Sequence, residues 1–283
     1  MPSINSVAAS NVGNVRENNE DNFFLNGKTL DTSIKGTAIT NDKADSGLFA
    51  VCDGMGGEEH GETAAAIAVS TLNEYYRQAL KQKASLDKWL QLYTDEANTQ
   101  ICAEIEKNGG KRMGTTFAVL YIQDQTAYIS NIGDSRAYLL RNQQLTQLSK
   151  DHTQIRRLLD MGILTAENAK THPDRHKLTQ HLGIFPDEMV IEPFAAQPLQ
   201  METNDIFLLC SDGLTDMLED KEIEETLLQY ANPQDAAMKL IEAALQHGGK
   251  DNVTVVVTKV CDLKENCKDT VSEKRKRPFS FFN

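Results

Sequence analysis

Five acidic positions stand where an apolar stretch meets a turn, and that placement is the first chemical signal in the chain. Residues 48–52 run into Asp53-Gly54-Met55-Gly56-Gly57, residues 206–211 into Asp212-Gly213, and residues 129–133 into Asp134-Ser135-Arg136. In each, a strand-like run delivers an aspartate at its tip, beside a glycine that lets the backbone turn sharply. Asp251-Asn252 stands immediately before the apolar run 253–257, and Glu20-Asp21 follows Arg16-Glu17-Asn18-Asn19. A single Asp-Gly reads as a turn; five acidic sites at separate strand boundaries read as a site. Gathered carboxylates are costly to bury unless cations neutralise them. Hard oxygen donors without clustered His or Cys favour Mg²⁺ or Mn²⁺ over zinc. The residues alone therefore predict a divalent-metal site.

The elements that must position these groups are legible in the hydropathy pattern. Strand-like stretches span 48–52, 115–122, 126–131, 136–140, 189–194, 205–210 and 253–260. Gln123-Asp124-Gln125 suggests a hairpin, and Arg141-Asn142-Gln143-Gln144 marks another turn. Such direct strand-to-strand succession argues against a repeating parallel βαβ fold. Ala65, Ala68, Leu72, Tyr76 and Leu80 form an apolar stripe along 62–81. Leu86, Leu90, Tyr93, Ala97, Ile101 and Ile105 form a second. Asn232 can cap a helix beginning at Pro233, with Gly248 just past its close. The pattern is α+β, with long helices covering the faces of antiparallel sheets.

Composition bounds the rest. The 283 residues are 40% hydrophobic and 25% charged, ordinary globular values. A chain of this length buries roughly three quarters of its unfolded surface and needs no disulfide or zinc staple. Cys52, Cys102, Cys210, Cys261 and Cys267 are odd in number and form no CxxC, which reads as reduced thiols in a cytosolic compartment. Against 29 Lys and Arg stand 41 Asp and Glu, a net −12. Since 262–283 holds six basic and four acidic groups, residues 1–261 carry −14. A body this acidic does not dock on nucleic acid through its bulk field. The excess is explained either by solubility or by cation binding. No apolar run approaches the roughly 20 residues that span a bilayer, and Met1-Pro2-Ser3-Ile4 lacks a signal pattern. The expected location is cytoplasmic, with a non-classical secretion route left open. Residues 272–283, with Lys274-Arg275-Lys276-Arg277 ahead of Phe279, Phe281 and Phe282, read as a flexible tail or as a docking segment.

Taken in order, Arg16-x-x-Asn19-Glu20-Asp21, Asp53-Gly54-Met55-Gly56-Gly57, Gly133-Asp134-Ser135-Arg136, Ser211-Asp212-Gly213-Leu214 and Asp251-Asn252-Val253-Thr254 resemble the motif series of the type 2C, metal-dependent serine/threonine protein phosphatases, in a bacterial-like version. Leu148-Ser149-Lys150-Asp151-His152-Thr153, residues 161–165 and residues 178–183 also look like family segments. The resemblance covers about 6–260. It implies a central antiparallel β-sandwich flanked by helices on both faces, four αββα layers, with metals in a cleft at one sandwich end. It implies a catalytic domain over 1–261, with a flap at about 151–188 that influences substrate choice, and a tail over 262–283. It also implies hydrolysis of phosphoserine and phosphothreonine by a metal-activated water at a dinuclear Mg²⁺ or Mn²⁺ centre, without a phosphoenzyme. No Cys-x₅-Arg loop is present to suggest otherwise.

Carried over residue by residue, Asp53 resembles the carboxylate bridging two core metals, and Gly54 offers its carbonyl to one of them. Asp212 and Asp251 complete the other, and Glu20 and Asp21 act directly or through water. Asp134, with Asp212, resembles the ligand of a weaker third metal. Arg16 resembles a phosphate clamp, for which a planar two-pronged guanidinium is well shaped; the plainer reading is a surface ion pair with a neighbour such as Glu17. Many relatives carry a histidine, proposed as general acid, at the position of Met55 or Glu58. His60 reads as a surface residue, and a metal-bound water is the alternative proton source. His152 reads as structural, with Thr153 able to cap the helix that follows. The His, Arg and Lys of the flap suggest a positive edge suited to a phosphopeptide. Expected partners are phosphoserine and phosphothreonine proteins and a cognate kinase with its targets, with no nucleic acid and a monomeric state. Two other readings are a silent relative that only binds phosphoproteins and a structural cation site in a binding protein; intact ligands and Arg16 speak against the first.

Overall fold

The computed structural model describes residues 2–34, 36–56, 60–79, 86–169 and 172–263. In chain order the elements are β1 (Pro2–Asn11), β2 (Asn22–Leu25), β3 (Lys28–Thr29), β4 (Ala38–Ala44), β5 (Gly47–Cys52), β6 (Gly54–Met55), α1 (His60–Ala79) and α2 (Leu86–Lys107). Next come β7 (Gly114–Thr115), β8 (Phe117–Gln123), β9 (Thr126–Ile132), β10 (Arg136–Arg141), β11 (Gln144–Gln147), α3 (Gln154–Asp160) and α4 (Ala166–Ala169). The last are β12 (Phe194–Ala195), β13 (Leu199–Gln200), β14 (Ile206–Cys210), α5 (Asp212–Thr215), α6 (Asp220–Gln229), α7 (Pro233–Gln246) and β15 (Val253–Leu263).

Two antiparallel sheets face one another. One runs β11-β10-β14-β15-β1-β4. The other runs β12-β9-β8-β5-β2-β3, with β13 also on β9. Their strands read as near-continuous apolar runs because both faces are buried. Phe49, Val51, Phe207, Leu209 and Val256 point into the core between the sheets. Leu48, Ala50 and Cys52 point outward against α1 and α2. Leu208, Cys210, Val253, Val255 and Val257 meet α5, α6 and α7 on the opposite side. The four layers expected from the sequence are present.

β1 escapes the hydropathy pattern because it carries hydroxyls at core positions. Ser6 and Ser10 are buried, and each finds its partner on β15: Ser10 with Thr254 at 2.7 Å, Ser6 with Thr258 at 3.0 Å. Paired hydroxyls make these positions tolerable inside a sheet. The strand expected at 189–194 does not form; only Phe194–Ala195 pairs, opposite Asn131 and Ser130. Pro193 and Pro198 bracket that pair, and neither can donate to a ladder. Thr115 belongs to the small β6–β7 ribbon, so the long strand begins at Phe117. The helix expected at 62–81 is α1, two residues earlier, and Leu80 lies outside the described residues. The β10–β11 hairpin turns through Asn142 and Gln143, both left-handed at φ 53° and 64°. Asn232 caps α7 as expected, accepting from the Gln234 amide at 2.9 Å. β15 continues through Asp262 to Leu263; residues 264–283, with the basic and aromatic tail, lie outside the described residues. Among the described residues no helix is long and apolar enough to cross a membrane.

Candidate metal centre

The two Asp-Gly pairs that close β5 and β14 are there because neighbouring backbone leaves no room for a side chain. A Cβ on Gly54 would stand 2.2 Å from the Gly61 carbonyl oxygen, and one on Gly213 would stand 2.0 Å from that of Asn252. Glycine is the residue that allows this approach. It brings Asp53 beside the 16–21 loop, whose Glu20 carbonyl accepts the Gly54 amide at 3.2 Å. It also brings Asp212, the first residue of α5, beside the start of β15. Asp134 follows Gly133, which takes φ +90°. That turn is pinned by His152: the Gly133 amide donates to its Nδ1 at 3.1 Å, and the His152 amide donates back to the Gly133 carbonyl at 2.8 Å. His152 is thus a structural clamp, and Thr153 caps α3 by accepting the Arg156 amide.

Asp21, Asp53, Asp134 and Asp212 converge, and each is pushed toward its protonated form. The hydrogen bond between Asp53 and Asp212 raises Asp53 and opposes the rise of Asp212. Burial first, then Asp212, Asp21 and Asp134, hold Asp53 well above the usual carboxylate range. Burial pushes Asp21 up to about 7, against the lowering effect of hydrogen bonds from Thr254 and Ser211. Asp212 is pushed up to about 6 by burial, Asp216 and Asp251. Asp134 is held well above its ordinary value by burial and Asp212, and Glu20 is raised chiefly by burial. Carboxylates that oppose one another's ionisation in this way call for cations.

One oxygen makes the same point geometrically. Asp21 Oδ2 accepts the Ser211 hydroxyl at 2.8 Å, while Asp21 Oδ1, equally buried, has no hydrogen-bond partner. A buried lone carboxylate oxygen amid other carboxylates, with no thiolate beside it that could ionise, fits a hard divalent cation. Cys52, next to Asp53, is buried, and its thiol is pushed far above its ordinary value.

Asp251 stands at the rim. Its Oδ2 accepts Arg16 Nη2 at 2.7 Å, and its Oδ1 accepts the Asn252 amide at 2.8 Å. Arg16 therefore pairs across 235 residues with a predicted ligand, not with Glu17. Its guanidinium is half-exposed at 53% and lies in the field of Glu20 and Asp212 as well. All eight predicted positions, Arg16, Glu20, Asp21, Asp53, Gly54, Asp134, Asp212 and Asp251, fall at one end of the sandwich.

The supporting shell was not assigned from sequence. Asn252 accepts the Glu20 amide at 2.8 Å and donates to the Val12 and Asn18 carbonyls, both at 2.9 Å. It staples the 12–20 loop to β15. Thr116 holds Asp53, accepting its amide at 3.1 Å. Ser211 also accepts the Thr254 amide at 3.0 Å. The only sequence signal was that small polar residues sit directly beside the acidic ones. His60 is not a plain surface residue: it is half-buried at the start of α1 against Gly56, and its Nε2 is buried without a partner. Met55 is half-buried in β6; Gly57 and Glu58 lie outside the described residues. The flap region is anchored by bridges Thr153–Leu178 and Thr115–Leu182. Of the basic groups along it, Arg156 pairs with Asp160, as does the preceding Lys150, and Arg175 faces Asp216.

Residues 36–247 match the protein phosphatase 2C family. The chain belongs to that family. Over 263 residues it is 33% identical to the serine/threonine phosphatase Stp of Listeria monocytogenes serotype 4b, covering 91% of this chain and 96% of that protein. The fold matches the crystal structure of the Mycobacterium tuberculosis serine/threonine phosphatase PstP/Ppp with a TM-score of 0.76 at 33% identity, over 92% of this chain and all of that one. A structure of the PstP catalytic domain in complex with two manganese ions matches with a TM-score of 0.74, again at 33% identity, over 92% of this chain and all of that one. In this 2C phosphatase Arg16, Glu20, Asp21 and Asp251 lie outside the span 36–247, and pairing of β1 with β15 returns them to it.

Proposed function

We propose that this chain removes phosphate from phosphoserine and phosphothreonine in proteins, using two Mn²⁺ or Mg²⁺ ions held by Asp53, the Gly54 carbonyl, Asp212 and Asp251. Glu20 and Asp21 act in support, and Asp134 with Asp212 would hold a third, weaker ion. The observation that carries the reading is the convergence of four aspartates, each raised chiefly by burial, with an unpartnered Asp21 oxygen among them. Bound there, the cations neutralise phosphate charge and acidify the attacking water. Ser211 keeps Asp21 aimed into the site, and Asn252 keeps the Glu20 backbone in register. Arg16, half-exposed and hinged on Asp251, turns its guanidinium to two phosphate oxygens and fixes the leaving group in line. A complete donor set leaves the silent-relative reading without support.

The flap over 151–188 belongs to the same catalytic domain and contributes to substrate choice. The protein acts in the cytoplasm as a monomer, in signalling opposite a serine/threonine kinase. Phosphate release from a phosphothreonine peptide tests the chemistry: turnover with millimolar Mn²⁺ and none with chelator is expected. Full turnover in metal-free buffer defeats the reading.

A further inference from the structure

Asp53 and Asp134 follow two different strands, and one threonine stands between them. β8 runs between β5 and β9, with Ala118 level with Val51 on one side and Phe117 level with Ile132 on the other. Thr116, one step ahead of β8, therefore lies between the strand ends that carry these aspartates. Toward Asp53 it is bonded twice: its amide donates to the Asp53 carbonyl at 2.9 Å, and its Oγ1 accepts the Asp53 amide at 3.1 Å. The Thr115 hydroxyl adds a third bond, donating to the same carbonyl at 2.9 Å. Toward Asp134 the Thr116 side chain makes two contacts. Its Oγ1 shares a hydrogen bond with the Ser135 hydroxyl at 2.6 Å, and a Cβ on Gly133 would stand 2.5 Å from its Cγ2 methyl. Gly133 and Ser135 flank Asp134, so both shoulders of that turn rest on Thr116, while His152 grips Gly133 by its amide and its carbonyl.

Resting on the phosphatase reading above, we propose that Thr116 is a positioning residue shared by the dinuclear centre and the third cation site, with Ser135 as its relay to the third. Both side chains are buried. In that low local dielectric a hydroxyl pair holds firmly when made and is costly to leave unmade. A shift of the Asp134 turn passes through Ser135 Oγ to Thr116 Oγ1, the atom that fixes the Asp53 amide. Valine has the same shape as threonine and would fill the space, but it would hold neither turn by a hydrogen bond. The two hydroxyls also divide the work unequally: Thr116 touches both ligand-bearing turns, whereas Ser135 reaches the Asp53 side only through Thr116. A hydrogen bond that merely satisfies two buried hydroxyls predicts no such division between the two metal sites.

The test titrates the full chain, stripped by chelator, with Mn²⁺ by calorimetry, while electron paramagnetic resonance of free Mn²⁺ counts the bound ions. The class of site lost in Asp134→Ala defines the third site, and what remains defines the core. Thr116→Val is expected to weaken both classes by about 10–100-fold, the scale for residues that orient ligands without touching the metal. Ser135→Ala is expected to weaken the third site by about tenfold and to leave core affinity within about twofold of the parent's. Thr116→Ser keeps Oγ1 and loses only the methyl, so core affinity should stay close to that of the parent. Should Thr116→Val fail to fold, Ser135→Ala and Thr116→Ser decide. Three results overturn the inference and leave the phosphatase reading intact: third-site affinity unchanged in Ser135→Ala, equal weakening of both classes in that variant, or core affinity about tenfold or more below the parent's in Thr116→Ser. A parent whose Mn²⁺ binding is untouched by Asp134→Ala has no third site to relay to and overturns it as well. A parent that binds no Mn²⁺ removes both readings.

Discussion

Replacing Asn252 with Ala tests whether the metal centre depends on a residue that holds no metal. Asn252 is only 5% exposed, and its amide makes three bonds across the 12–20 loop: to the Glu20 amide, the Val12 carbonyl and the Asn18 carbonyl. Each is worth about 0.5–1.5 kcal/mol net, so losing all three costs about 2–4 kcal/mol. That cost falls on the segment carrying Arg16, Glu20 and Asp21. Urea unfolding should show the lower stability as a reduced midpoint with an unchanged slope. Titration calorimetry with Mn²⁺ should show affinity weaker by about 10–100-fold, the scale for residues that orient ligands without touching the metal. Asn252→Asp keeps the acceptor for the Glu20 amide but loses both donors and adds charge beside Asp251, so its stability should fall between those of the parent and the Ala variant. Unchanged midpoint and unchanged Mn²⁺ affinity in Asn252→Ala would refute the staple.

Arg16→Ala should leave stability within about 1 kcal/mol, because its pair with Asp251 is exposed. It should lower kcat/KM on a phosphopeptide by about one to two powers of ten, with Lys rescuing only partly; unchanged kinetics remove Arg16 from the site. Asp134→Ala should leave two Mn²⁺ sites and empty a third, as read by anomalous scattering from soaked crystals, and three full sites would make Asp134 a turn residue only. Asp21 and Asp212, raised to about 7 and about 6 in the metal-free protein, bind more protons folded than unfolded. Metal-free stability should therefore decline as pH rises from about 4 to 7. The Tm gain from Mn²⁺ should be larger at pH 7.5 than at pH 5.5, and equal gains at both would contradict that linkage.

What the sequence disclosed follows from what hydropathy and spacing can record. Phe49, Val51, Phe207, Leu209 and the valines of β15 are buried on both faces, so their strands stood out as apolar runs. β1 did not, because Ser6 and Ser10 look solvent-facing until their hydroxyl partners on β15 are known. Residues 189–194 looked like a strand because Met189, Val190 and Ile191 are apolar; the prolines at 193 and 198 decided otherwise. The aspartates could be picked out singly, since each ends a strand beside glycine. The partner of Arg16 could not, because Asp251 is distant in sequence and only the β1–β15 pairing brings it near. Asn252 and Thr116 act through geometry alone and leave little trace beyond being small and polar.

The pairing of β1 with β15 also sets a clock. Glu20 and Asn252 are 232 residues apart, and at about 5–20 residues per second roughly ten to fifty seconds separate their synthesis. Through that interval β1 lacks the neighbour that joins it to β14 in the finished sheet, and β14 lacks it from the moment β14 is made; such open edges are exposed to association with other chains. Asp251 arrives only with the strand that closes the gap. The growing chain thus carries Arg16, Glu20, Asp21, Asp53, Asp134 and Asp212 before Asp251, and the proposed donor set stays incomplete until β15 slides between two waiting edges.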